Sequence, residues 1–149
     1  MTFKSHMDKA LEQARAAARR GEVPVGAALI APDGQVAALA GNRTRELNDP
    51  TAHAEILTIR EACAHLGSER LTGFDLYVTL EPCAMCAAAI AAARIRRVYY
   101  GASDPKSGGV AHGACVFSHP QAHHAPEVYE GIAEAEASAL LKDFFARKR

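Results

Sequence analysis

The chain has 149 residues, 49% hydrophobic and 23% charged, the composition of an ordinary folded domain and not of a disordered or fibrous chain. Its 17 basic and 17 acidic residues cancel, so overall charge makes no case for nucleic acid, and any such contact must come from a local patch. No apolar run is long enough for a bilayer, and residues 1–20 lack the apolar stretch and cleavage site of a secretory signal, so the chain reads as cytoplasmic, with no membrane contact and one domain over 1–149.

In chain order, Phe3, Met7, Leu11, Ala14 and Ala18 recur at three- and four-residue steps and predict a helix over 3–19, closed by Gly21 and Pro24. Residues 25–30 form a short apolar run. Pro32-Asp33-Gly34 is turn chemistry and 36–40 is a returning run, so the pair reads as a hairpin. A polar loop, 41–50, leads to a helix reaching about Leu66. Asp49 or Thr51 is its candidate cap, Gly67 is its stop, and Ile56, Ile59, Cys63 and Leu66 are its expected apolar face. Residues 74–80 read as a strand. Glu81-Pro82 opens a helix to about Ala93, with proline favoured at a first helical position. Val98-Tyr99-Tyr100 is a further strand, 101–126 reads mostly as loop, and 134–148 is a closing helix. This alternation predicts an α/β fold, a mixed sheet with helices on both faces.

Four cysteines in a chain read as cytosolic suggest metal ligands or core residues ahead of disulfides. Two of them stand as Cys83-x-x-Cys86, and His53-Ala54-Glu55 lies upstream; both segments fall at predicted helix starts. Cys83 and Cys86, three apart, share a helix face. Free N–H groups and the positive helix end favour the thiolate there. Two thiolates and one imidazole suit zinc. Three protein ligands, His53, Cys83 and Cys86, leave a fourth position for water, which marks a catalytic zinc. Glu55 is the candidate proton carrier. A closed structural zinc would need a fourth protein ligand. Cys63 lies about 15 Å along the helix from His53 and reads as a buried small hydrophobe; His65 fails on the same distance. His112 and Cys115, in a loop, stay open on geometry. A closed site has no use for Glu55.

His-x-Glu followed by Pro-Cys-x-x-Cys is the signature of zinc nucleobase deaminases. With Glu22-Val23-Pro24-Val25-Gly26-Ala27, Asn48–Glu55, Leu76–Cys83, Tyr100–Lys106 and Leu140–Phe145, the chain resembles the bacterial tRNA-specific adenosine deaminases of the cytidine-deaminase superfamily from about Asp8 to Lys148. The resemblance implies a three-layer α/β/α cytidine-deaminase-like fold with a central five-stranded mixed sheet, a homodimer and one zinc per subunit. It implies metal ligation by His53, Cys83 and Cys86 and proton transfer by Glu55. It further implies base contact by Asn42, Asp104 and Lys106 near the nucleotide backbone, and Phe144, Phe145 and the basic tail on a transfer-RNA anticodon stem-loop. The implied reaction is adenosine to inosine at the wobble position. Residues 107–120 depart from the family, which often carries an apolar Leu- and Met-containing segment there.

Several signals have plainer readings. Asn42 and Asp104-Pro105 could serve turns. Arg94, Arg96 and Arg97 balance between a solvated helix end and a phosphate-facing patch. Arg147-Lys148-Arg149 is usually a frayed tail, but after two aromatics it fits a single-strand clamp. His119, His123 and His124 match no metal spacing and read as surface loop. Two alternatives stand beside RNA deamination: deamination of a free base or nucleoside of guanine or cytosine type with the same zinc, and a non-catalytic zinc module that binds RNA. The basic, aromatic closing helix favours the RNA enzyme; zero net charge mildly favours a small substrate.

Overall fold

The fold is described from a computed structural model over residues 3–147. Helix α1 (Met7–Arg19) leads into a hairpin of β1 (Gly26–Ile30) and β2 (Val36–Gly41). Helix α2 (Ala54–Leu66), β3 (Asp75–Leu80), α3 (Ala84–Ala92) and β4 (Arg97–Ala102) follow, then a short 3-10 turn at Val116–Ser118, β5 (Glu127–Tyr129) and α4 (Glu134–Arg147). The sheet order is β2-β1-β3-β4-β5. β1 is antiparallel to β2 and β3, whereas β3, β4 and β5 are parallel.

Alternation along the central strands divides the core in two. Ala27, Leu29, Leu76 and Val78 face α2 and α3 with Ala54, Ala62 and Ile90. Ala28, Ile30 and Tyr77 face α1 and α4 with Met7, Leu11 and Ala137. On that second face Tyr77, Tyr99 and Tyr129 stack across three neighbouring strands, at centroid spacings of 4.4 and 5.0 Å. Gly26 lets α1 lie against β1, since a Cβ there would collide with the backbone of Ala10 and Ala14. The expected three-layer α/β/α fold with five mixed strands is the observed one.

Several boundaries differ from expectation. The first helix begins at Met7, not Phe3, which lies exposed before it; the Ser5 hydroxyl accepts the Met7 N–H at 3.1 Å. Helix α2 begins at Ala54, so neither Asp49 nor Thr51 caps it. Asp49 instead accepts the Thr51 N–H and hydroxyl at 2.9 and 2.7 Å, folding the loop on itself. The buried face of α2 is Ala54, Glu55, Thr58 and Ala62, and Leu66 is exposed. Small residues face the sheet because the helix packs close to it. Gly67 ends α2 at φ 70° and donates to the Cys63 carbonyl at 2.9 Å, as its type predicts. Strand β5 has no apolar run to announce it: its three residues are exposed, and it forms by parallel pairing to β4.

Arg96 and Arg97 are structural. They pair with Asp75 and Glu127, at 2.8 and 3.3 Å, at the end of the parallel strands opposite the candidate site. Arg94 donates to the Ala91 carbonyl at the end of α3. The phosphate-facing reading of this triplet is thereby displaced by local partners. Among the described residues, no helix is long and apolar enough to cross a membrane.

Candidate active site

The two chemical segments meet because two helices begin at one end of the sheet. His53 and Cys83 each occupy the position just before the first helical turn, with extended backbones at φ/ψ of −73/154° and −71/174°. That placement removes the difficulty of two residues in one helix pointing about 200° apart, because His53 precedes the helix and Glu55 lies within its first turn. Cys86 lies one turn into α3 and is buried.

His53 Nδ1 lies 3.6 Å from Cys83 Sγ and 3.4 Å from Cys86 Sγ. A tetrahedral zinc with ordinary Zn–S and Zn–N bonds has S···N edges of about 3.6 Å, so the donor set fits the metal in both chemistry and spacing. All three donor atoms fall within 4.8 Å of one another, and among the described residues no other acidic, His or Cys side chain joins them. His112 and Cys115, left open by the sequence, are engaged elsewhere: His112 Nδ1 lies 2.8 Å from Glu81, and the Cys115 sulfur faces the His112 carbonyl. Cys63 packs at the margin of the core, as expected. Among the described residues the donor set therefore numbers three, with no fourth side chain beside it.

The electrostatics agree with a cation site. The Cys86 thiol, with help from the His53 imidazole, holds the Cys83 pKa down to about 4 against the effect of burial. The Cys83 sulfur and burial push the Cys86 thiol upward in return. Two sulfurs and an imidazole nitrogen held this close together suit a divalent ion. Glu55 is 4% exposed, and burial pushes its carboxyl up to about 7.

His53, Glu55 and Cys83 line a cavity of about 290 Å³ with Asn42, Asp104 and Ser107. Asn42 Oδ1 is buried without a hydrogen-bond partner. A buried acceptor left unpaired costs about 1–3 kcal/mol, so the plain turn reading of Asn42 leaves its amide unexplained, whereas a donor on a ligand in the cavity would satisfy it. Of the other expected substrate contacts, Asp104 reaches the cavity wall and Lys106 is exposed on the following turn, outside the lining. Phe144 and Phe145 lie on α4, Phe144 in a separate groove against α1 and Phe145 exposed. Lys148 and Arg149 of the basic tail lie outside the described residues. His119 and His123 are exposed, whereas His124 Nε2 ties its loop to the Ile95 carbonyl at 2.7 Å.

Sequence reasoning missed two buried carboxylates that hold the cavity walls. Glu22 accepts the N–H groups of Arg45 and Glu46, fixing the loop that starts at Asn42. Glu81, whose side chain is fully buried, accepts the N–H groups of Asp104, Val110, Ala111 and His112 and the His112 ring N–H, at 2.8 to 3.2 Å. Burial works against its ionisation, but these donors outweigh burial and hold its pKa below the usual carboxylate range. Gly108 crosses directly over this carboxylate, where a Cβ would collide with it. The 104–112 segment is therefore an ordered wrap around one anion. The signal was available: a glutamate ahead of a Pro-Cys pair, followed by a Gly-Gly loop rich in free N–H groups.

Residues 2–102 match the family model of the cytidine and deoxycytidylate deaminase zinc-binding region. A tRNA-specific adenosine deaminase of Agrobacterium fabrum is 61% identical, over all of this chain and 98% of its own length. The chain belongs to the tRNA-specific adenosine deaminase family. A solved structure from studies of A-to-I editing by tRNA:A34 deaminases at the wobble position of transfer RNA superposes with a TM-score of 0.89 at 64% identity, covering 91% of this chain and 97% of that one. The fold is shared more widely: guanine deaminase from Bacillus subtilis is 30% identical with a TM-score of 0.67, over 99% of this chain and 94% of its own. Members of the family and this more distant relative thus place different substrates on one architecture, and the residues around the metal set must carry the distinction.

Proposed function

We propose that this chain, as one deaminase domain, converts adenosine to inosine at the wobble position of transfer RNA in the cytoplasm, with one catalytic zinc per subunit on His53, Cys83 and Cys86. The observation that carries the chemistry is a buried carboxylate, Glu55, in the same cavity as a three-donor metal set with no fourth protein ligand among the described residues. The full-length likeness to tRNA-specific adenosine deaminases supports the choice of substrate.

Zinc bound there would supply Lewis acidity, bringing the pKa of a water toward neutrality. Glu55 takes a proton from that water and delivers it to N1 of the adenine as oxygen adds to C6. It then takes the remaining hydroxyl proton and passes it to the departing amine. Water and adenosine are consumed, inosine and ammonia are released, and the carboxylate returns to its starting state. Asn42 meets a donor of the base with its unpartnered oxygen, and Asp104 and Lys106 stand beside the nucleotide backbone. A base inside a folded stem is out of reach of this cavity, so the substrate must be an unstacked nucleotide, as in an anticodon loop.

The outer face of α3 supports a homodimer. The helix is apolar all round, AMCAAAIAA, yet Ala84, Met85, Ala88 and Ala92 are exposed. A helix of that kind belongs inside a protein, and a second copy would cover it. Sedimentation should give twice the chain mass, and Met85→Glu should halve it. Inosine formation from an anticodon stem-loop, compared with ammonia release from adenosine, guanine and cytosine, tests the whole reading. Turnover of a free base with none on RNA would replace it with the small-substrate alternative.

A further inference from the structure

Among the described residues, Asn42 Oδ1 is the buried side-chain polar atom left without a partner, in a residue that lines the reaction cavity. Such an amide meets a ligand in one geometry only if the backbone beneath it is fixed. Asn42 follows the last residue of β2 and opens the polar loop. Its N–H is taken by the Val25 carbonyl at 3.0 Å, one step beyond the β1–β2 ladder. Its carbonyl is taken by the Arg20 guanidinium at 3.2 Å. Arg20 does not itself line the cavity, yet it grips the backbone of a residue that does.

Local structure places Arg20 there. It caps the end of α1, with its N–H on the Ala16 and Ala17 carbonyls, and Gly21, at φ 84°, then turns the chain away. Glu46 holds the guanidinium at 3.6 Å, and its other oxygen meets Arg43 at 3.5 Å. Gly41 lies flush against α1, where a Cβ would fall 2.6 Å from the Gln13 carbonyl oxygen and 3.3 Å from the guanidinium. Side-chain packing does not secure the loop on this side. A cavity of about 260 Å³ lies beside it, lined by Gln13, Arg20, Gly41, Arg43 and Glu61 among others. Empty space offers no contacts to resist movement, so directed bonds must fix the loop. The bonds from Glu22 fall three and four residues past Asn42, on Arg45 and Glu46. The grip on Asn42 itself comes from Arg20.

We propose that Arg20 is a positioning residue for the reaction: by holding the Asn42 carbonyl it sets where the Asn42 amide meets the base. The assignment rests on the base contact proposed above for Asn42.

A double-mutant cycle on the zinc-loaded protein tests it, with kcat/KM read for inosine formation from an anticodon stem-loop. The chains compared are the unaltered protein, Arg20→Met, Arg20→Lys, Asn42→Ala and Arg20→Met/Asn42→Ala. Arg20→Met keeps an unbranched stem and removes the donors. It should lower kcat/KM about tenfold, a coupling ordinary for residues in one hydrogen-bond network. Zinc content should not change, and Arg20→Lys, which keeps a cationic donor, should recover most of the loss. In the Asn42→Ala background, Arg20→Met should cost less than about twofold, because the amide it positions is gone. A role in stability alone would persist in that background. Hydrogen exchange at residues 42 and 43 should quicken in Arg20→Met. Should that variant fail to fold, Arg20→Gln takes its place in the cycle. Equal losses in both backgrounds, a Met variant as active as the unaltered chain, or unchanged exchange at 42 and 43 would refute the positioning role and leave the functional reading standing. An unaltered chain that forms no inosine from the stem-loop removes that reading, and the role of Arg20 with it.

Discussion

Glu81 is not one of the metal donors but borders the cavity from its buried wall, and its replacement by Gln should weaken both the fold and substrate binding. One carboxylate oxygen accepts the Asp104 N–H and the His112 ring N–H; the other accepts the N–H groups of Val110, Ala111 and His112. An amide keeps the shape and one acceptor, but it turns a donor toward at least two N–H groups and removes the charge from the rest. Hydrogen bonds to a charged group contribute about 1.5–3 kcal/mol each. They cannot simply be summed, because the loop can lift away and expose its N–H groups to water. A net cost of about 2–3 kcal/mol follows for Glu81→Gln, and about 3–5 kcal/mol for Glu81→Ala, which leaves the donors with nothing. In a domain of this size the Gln variant should melt roughly 5–10 °C lower. Thermal melts of zinc-loaded protein check the first effect, and hydrogen exchange at residues 104 and 110–112 locates it. Because the same loop carries Asp104 and Ser107 to the cavity wall, KM for the stem-loop should rise by more than kcat falls. An unchanged melting point together with an unchanged KM would refute the argument that one buried anion organises this wall.

Glu55→Gln should leave zinc content and melting temperature near those of the parent while lowering inosine formation by about 10²- to 10⁴-fold; metal analysis and single-turnover assays check this pair of outcomes, and undiminished turnover would remove Glu55 from proton transfer. Chelation of the metal, or Cys86→Ala at the buried sulfur, should abolish turnover and lower the melting temperature, since the ligand set joins the starts of two helices; full zinc occupancy in the Cys86 variant would contradict its role. Glu22→Gln should cost less than Glu81→Gln, about 1–2 kcal/mol, because Glu22 accepts only two N–H groups; its mark on activity should be a raised KM, since the loop it fixes begins at Asn42.

The elements carrying periodic apolar residues were legible before the structure. The stripe of α1, the Pro-Asp-Gly hairpin, the strand at 75–80 and the Gly67 stop all follow from local patterns that tertiary packing did not override. The meeting of His53, Cys83 and Cys86 was legible for a different reason: such a cluster needs few residue types, at spacings that helix starts dictate. Strand β5 was not legible locally, because its exposed residues gain their structure by pairing with β4 and not by burying a face. The face of α2 was read only in part: Ile59 and Cys63 do pack at the margin of the core, but size was taken as a guide to full burial. Where a helix packs close to a sheet, Ala54, Thr58 and Ala62 fit and Leu66 does not. The 104–112 loop lacked any pattern of its own, since its order comes from Glu81, 23 to 31 residues before the groups it binds.

Three buried glutamates border this site, and composition treats them alike. Glu22 and Glu81 face arrays of backbone N–H groups and act as anchors. Glu55 has no such array; burial dominates and pushes its carboxyl up to about 7, while the donors around Glu81 hold that group below the ordinary range. Environments that drive identical groups in opposite directions suit Glu55 to the proposed proton transfer and Glu81 to anchoring as an anion. The separation is made by which loops the topology brings over each carboxylate, so it requires the wrap of 104–112 on one side and the bare first turn of α2 on the other. A sequence motif can name the carboxylate proposed to carry the proton. It is the anchoring pair, outside the motif, that gives the cavity walls their shape, and differences of substrate between members of this fold should therefore be sought in the loops those anchors hold.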